Sequence, residues 1–206
     1  TTLHQNFNAY SRKLNEVQKE EWTKVKGRFQ ELVFVEPVEQ LLYLAATQKE
    51  INKIADSNHE AIESLSILAK KTKFVSQGFS DETAQALAPL EPFAAYVITQ
   101  AIQRYGQNER SLFSFLNARG RNSLSEYQGE VYQLQCCYDY IYYNFYSYLK
   151  EANADSMQWS SMQVAIERVE GQLWEIKQDL VDAIKMVKAI GLLNLFGNST
   201  FRMNRE

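Results

Sequence analysis

Two arginines stand where a guanidinium could do chemistry. Arg110 lies in "GQNERSLFSFLN", residues 106 to 117, where one helix closes and another opens. Gly106 ends the first helix. Asn108 is placed to cap the second, and Glu109 suits the positive end of its dipole. A helix start is a ready anion site, and a guanidinium beside it can hold phosphate oxygens through two bonds. The plainer reading pairs Arg110 with an acid inside the helical body, and the sequence leaves both open. Arg28 follows Gly27 at the end of a long helical segment. Lys and Arg are common there because they offset the negative helix end, so a surface role is the ordinary reading of Arg28.

The other reactive residue types form no site. His4 and His59 lie far apart, with no metal-ligand spacing to either cysteine. Cys136 and Cys137 are adjacent, too close for a C-x-x-C site, and sit in an apolar segment. They read as free buried thiols in a reducing compartment. There is no GxxxxGK[ST] phosphate loop, no GxGxxG and no defensible Ser-His-acid grouping. The chain is not expected to be an enzyme by itself, and no metal site is expected. "SEYQGEVYQLQCCYDYIYYNFYSYLKEA" holds most of the tyrosines. A base-stacking platform would need clustered Lys or Arg, which are absent, so a packed aromatic core is the better reading.

The elements that must carry these residues are helices. The chain has 206 residues, of which 45% are hydrophobic and 23% charged, enough for a real core. Three prolines and eight glycines leave long uninterrupted stretches for helix. A net charge of −3 gives no basic footprint for nucleic acid, although contact with it stays open. The apolar run near Ile190 to Phe196 is too short to cross a bilayer. No signal-peptide pattern is readable, and a cytoplasmic protein is expected. "TTLHQNF" reads as a strand end met mid-protein, and "LLNLFGNSTFRMNRE" breaks off without a closing element. The expectation is a piece of something larger.

Periodicity predicts a helix over 6–26 with Phe7, Tyr10, Leu14, Val17 and Trp22 as its apolar stripe, stopped by Gly27. Phe29, Leu32, Val33, Phe34 and Val35 read as one short strand, with a second strand available near residues 1–4. A lone strand cannot satisfy its own backbone, so the rest of its sheet is expected elsewhere. Pro37 suits a first helical position. Val38, Leu41, Leu42, Ala45, Ile51 and Ile54 trace the next helix, Asp56-Ser57 breaks it, and "HEAIESLSILAKKTK" resumes. Gly78 is a further break, and Ser80 with Thr83 can cap a short helix reaching Leu87. "LAPLEP" reads as the clearest internal boundary. "FAAYVITQAIQRY" is a buried helix, and 111–116 a short apolar one before a loop. From Ser123 one long helix is expected, with Leu134, Tyr138, Ile141, Phe145 and Tyr148 on one face. Helices near 157–169 and 173–196 follow, the last with Ala183, Val187, Ile190, Leu193 and Phe196 as its stripe.

Two stretches carry a resemblance. "LHQNFNAYSRKLNEVQKEEWTKVKGRFQELVFVEPVEQLLYLA" and "LAPLEPFAAYVITQAIQRYGQNERSLFSFL" resemble segments of large prokaryotic AAA+/STAND-like P-loop ATPases, many tied to anti-phage defence. The motifs "KVKGRF" and "QNERSLFSFL" are its specific part. The "YDYIYYNFYSYL" helix, the helix bearing Trp159 and "IKMVKAIGLLNLF" follow in the family's order, so the likeness runs over nearly the whole chain.

The resemblance implies a fragment lying after the Walker B strand. Thr2, His4 or Gln5 would occupy the neighbourhood that senses the γ-phosphate. Arg28 would be the arginine finger offered to a neighbouring subunit, where such a group raises hydrolysis by roughly a thousandfold or more. Arg110 would be the second sensor, with Asn108 beside it. Residues 1–36 would end the ATPase core. Residues 37–120 would form a helical lid, and 121–206 a helical extension open to continuation into a winged helix. ATP and Mg would be cofactors of the intact protein, with neither held tightly by this chain alone. Its partners would be the remainder of the ATPase core and either further copies or an effector protein, with no membrane. The fold expected is mainly α: a helical bundle with one or two short β-strands near the N-terminus that belong to an incomplete sheet. The competing reading is a helical protein-interaction scaffold with no nucleotide role.

Overall fold

The computed structural model describes residues 14–28, 37–48, 57–106, 108–117, 120–150 and 154–197. The chain divides into two compact units, Thr1–Pro37 and Val38–Glu206. Among the described residues the structure is mainly helical, as the composition implies. The expected strands near residues 1–4 and 29–35 lie outside the described residues.

Helix α1, Glu16–Lys26, belongs to the smaller unit. Asn15 opens it with a capping box: its side chain accepts from the Gln18 N–H at 2.9 Å, and the Gln18 side chain accepts from the Asn15 N–H at 3.1 Å. Gly27 closes it, donating its N–H to the Thr23 carbonyl at 3.1 Å. Of the expected stripe, Phe7 and Tyr10 lie outside the described residues, Leu14 and Trp22 are half-buried, and Val17 is corrected. Val17 is 73% exposed, and no residue of α1 is buried. Glu, Gln and Lys dominate the helix, so caps and charge at its ends define it more than an apolar face does.

The larger unit is built around one helix. Its elements are α2 (Val38–Gln48), α3 (Ser57–Lys71), α4 (Asp81–Leu87), α5 (Pro92–Tyr105), α6 (Asn108–Asn117), a 3-10 turn (Leu124–Glu126), α7 (Leu134–Asn144), α8 (Tyr146–Lys150), α9 (Ser156–Glu170) and α10 (Lys177–Phe196). Of the expected face of α2, Leu41, Leu42 and Ala45 are buried, Val38 is half-buried, and Ile51 and Ile54 lie outside the described residues, while Pro37 stands one position before the helix. Ser80 caps α4 by accepting from the Thr83 N–H at 3.1 Å, as its sequence implies.

Pro92 fits the first turn of α5, where its missing N–H costs nothing. Ala94, Ala95 and Ala101 let neighbours approach closely. Val97, Ile98, Ile102 and Tyr105 fill the space between them. Helices α2, α3, α6, α7 and α10 all pack on α5, so most of it is buried, and only Tyr96, Gln100, Gln103 and Arg104 are left partly or fully exposed. Each large aliphatic side chain buried there contributes roughly 1.5–3 kcal/mol.

Two expectations fail in this unit. The stretch from Ser123 is not one helix. After the 3-10 turn the chain runs without helix, bending over residues 129–131, and α7 begins only after Gln133. The reason is a better set of backbone partners. Tyr132 donates its N–H to the Pro89 carbonyl at 2.7 Å, and Glu91 donates to the Tyr132 carbonyl at 3.2 Å, making a short parallel bridge to Leu90. The Tyr132 ring is buried at 1% exposure, and its hydroxyl donates to the Asn122 carbonyl at 2.8 Å. The second break, at Phe145, turns that ring toward Tyr105 and Tyr140. Likewise "LAPLEP" is no boundary between the compact units. It is a turn inside the larger one, with Ala88, Leu90 and Glu91 all buried.

The last helix begins at Lys177 rather than Leu173, which is fully exposed. Of its expected stripe, Phe196 is buried, Val187 and Leu193 pack on the core, and Ala183 and Ile190 are half-buried. Leu192, outside that stripe, is fully buried.

Candidate functional site

Arg28 stands just past α1, held by its N–H to the Val25 carbonyl at 3.0 Å, with an exposed side chain. Lys24 and Lys26 precede it in the last turn, all three placed to favour the negative helix end. Among the described residues it makes no ion pair. Its position suits a surface cation and equally a group presented outward.

Arg110 lies in the first turn of α6. The helix already includes Asn108, which is therefore a helical residue rather than the expected cap. The side chains of Asn108, Glu109 and Arg110 lie outside the described residues, as do Thr2, His4 and Gln5. What is described is the mount. Leu112, Phe115 and Leu116 are buried at 2%, 0% and 4% exposure, and Phe113 is half-buried. The Phe115 ring meets Tyr132 and Tyr140 edge-on at 5.5 and 4.7 Å. Gly106 joins α5 to α6 with its N–H on the Ile102 carbonyl at 2.7 Å. A Cβ there would come within 2.8 Å of that carbonyl and 3.3 Å of Phe145, so the elbow needs glycine for its close approach rather than for its dihedral angles.

The structure gathers a polar cluster at the same end of α5 that sequence reasoning missed. The Tyr105 hydroxyl donates to Asp155 at 2.7 Å and accepts from the Trp159 indole at 3.1 Å. Arg104 reaches the same carboxylate at 3.1 Å and lies 5.0 Å over the Phe196 ring. Burial first, and Asp155 after it, push the Tyr105 phenol well above its ordinary range. This cluster ties α5 to α9 and α10 through a neutral tyrosine and a carboxylate that is only 14% exposed. Nothing local in "QRY" or "NADS" announced it, because its partners lie 50 residues apart.

Glu91 is the second missed group. It precedes α5, yet its carboxylate accepts from the Leu134 N–H and so caps α7 across the unit. The residue is 6% exposed, and burial raises its carboxyl to about 7 against the pull of that N–H.

The remaining reactive residue types among the described residues have structural surroundings. Cys136 and Cys137 are free thiols, as expected. Burial raises both, which keeps them protonated and poorly nucleophilic. His59 contacts Gln85, whose amide donates to the His59 carbonyl at 3.1 Å, tying α3 to α4. Among the described residues no group of His, Cys, Asp or Glu could hold a metal ion. A shallow cavity of about 430 Å³ beside the 3-10 turn is lined by Arg121, Ser123, Tyr127, Tyr132, Cys136 and Asp139, among others. Two of its charges are already engaged: Asp139 pairs with Lys188 at 2.7 Å, and Arg121 covers the Tyr143 ring at 4.4 Å, while Glu126 also lines the cavity. The core reading of the tyrosines holds for Tyr132, Tyr138 and Tyr140, which are buried, while Tyr143 and Tyr146 are exposed. No described helix is long and apolar enough to cross a membrane.

No known family model matches the chain, and neither a curated protein nor a solved structure does.

Proposed function

We propose that this chain is the sensor, lid and helical region of a large AAA+/STAND-like P-loop ATPase, passing nucleotide state to neighbouring subunits or effectors. The observation that carries the reading is the mounting of α6. Its first turn, which bears Arg110, follows the central helix α5 after a tight glycine elbow and is anchored by Leu112, Phe115 and Leu116. An anion held at that turn would pull on a helix with no slack. The pull would reach α5 and, through Arg104, Tyr105 and Asp155, the α9–α10 pair. The order of "KVKGRF" and "QNERSLFSFL" supports the same reading, as does the outward Arg28. In it ATP and Mg belong to the intact protein, the remainder of the core is the first partner, and the assembly acts through further copies or an effector.

The test uses the intact ATPase. Arg28→Ala should lower ATP turnover by roughly a hundredfold or more while leaving the isolated subunit's nucleotide affinity little changed, since the finger acts on a neighbour. Calorimetry on the present chain should show no tight ATP binding. Normal turnover in the variant, or sub-micromolar ATP affinity in the isolated chain, would count against the reading.

A further inference from the structure

The turn between α9 and α10 has a property that nucleotide sensing does not use. Its backbone is held from both sides. Gly171 donates its N–H to the Glu167 carbonyl at 2.9 Å, and Gln172 donates to Val169 at 3.3 Å. The Trp174 indole folds back to donate to the same Val169 carbonyl at 2.7 Å, and Asp179 opens α10 by donating to Ile176 at 3.2 Å. Trp174 is half-buried by this closure, and its neighbours are left outside. Leu173 is 104% exposed and Ile176 57%. Single exposed apolar residues are ordinary. Here two sit on one braced turn.

Acids outnumber bases around them, although Arg168 and Lys177 are exposed there as well. From Glu167 to Asp182 there are five acids and two bases, a net charge of −3. Glu167, Glu170, Glu175 and Asp179 are exposed and make no ion pair among the described residues, whereas Asp182 pairs with Lys185 at 2.9 Å. Anionic lipid and nucleic acid would be repelled by this rim. A second copy presenting the same turn would set one net charge of −3 against another.

We propose that the α9–α10 turn docks a basic amphipathic segment of a partner protein. Leu173 and Ile176 enter the apolar face of that segment, and the acids around them meet its lysines and arginines. A pre-ordered turn loses little freedom on docking, which favours binding through so small a contact. The inference stands apart from the nucleotide reading and survives its failure.

The test titrates the full chain with an amphipathic Lys/Leu peptide and follows the Trp174 indole resonance. The Lys/Leu peptide should shift that resonance and bind. Leu173→Asp with Ile176→Asp should weaken it by about tenfold or more, as for a small central anchor. Glu170→Lys with Glu175→Lys should weaken it comparably. Raising salt from about 50 to about 300 mM should do the same through screening. Matched Lys/Ser and Glu/Leu peptides should bind at least about tenfold more weakly. Because Leu173 is fully exposed and Ile176 is 57% exposed, the first variant should keep its circular dichroism spectrum. Equal binding by the Lys/Ser peptide would reduce the effect to charge and overturn the proposal. So would unchanged affinity in either well-folded variant, or a dimer that becomes a monomer in the first one.

Discussion

At the scale of single residues, Glu91 makes the sharpest statement. A carboxyl at 6% exposure prefers its neutral form, and its pKa rises from 4.5 to about 7. Between those values the folded chain keeps a proton that the unfolded chain has already released. Stability from this group is therefore fully present below about pH 4.5 and falls as pH rises to about 7. The loss is on the order of 3 kcal/mol. Glu91→Gln keeps an oxygen for the Leu134 N–H and removes the titration. Urea denaturation should show the variant gaining stability over the wild type by roughly 1–3 kcal/mol at about pH 8 and nothing at about pH 4. Parallel profiles for the two proteins would refute this account of Glu91. The sequence did not expose it: "LEP" gives an acid before a proline and no sign that residue 134 needs a cap.

At the scale of elements, local signals were legible and distant ones were not. Ser80 with Thr83, Gly27 and Gly106 mark ends that a helix must satisfy within a few residues, and all three stand where the sequence puts them. The segment 123–133 has helical composition, but Tyr132 gains more by pairing with Pro89 and Glu91 and burying its ring. Such tertiary partners override propensity and leave no periodic trace. Likewise Leu192 outranks the expected stripe of α10 because α5 and α7 decide which face is covered. The cluster joining α5 to α9 is testable in these terms. Tyr105→Phe removes one hydroxyl and leaves the Trp159 N–H and the Asp155 carboxylate each short of a partner. The expected cost is about 1–3 kcal/mol, read as a fall of several degrees in the thermal midpoint. A change below about 0.5 kcal/mol would mean that solvent replaces the hydroxyl at no cost.

At the scale of the whole molecule, the larger unit is organised around α5, on which α2, α3, α6, α7 and α10 pack. The end of α5, beside the start of α6, has a packed route to the α9–α10 pair through Tyr105 and Asp155, which lie 50 residues apart. That route is the physical content of the lid reading, and Arg110 is where a load would enter. The candidate site was legible only as residue types at a helix start, since what Arg110 faces depends on residues distant in sequence. The most direct measurement is ATP turnover by the intact ATPase carrying Arg110→Ala, beside its thermal stability. The lid account predicts turnover at least about tenfold lower with the fold intact. Normal turnover in a well-folded variant would contradict it and leave the chain a helical scaffold.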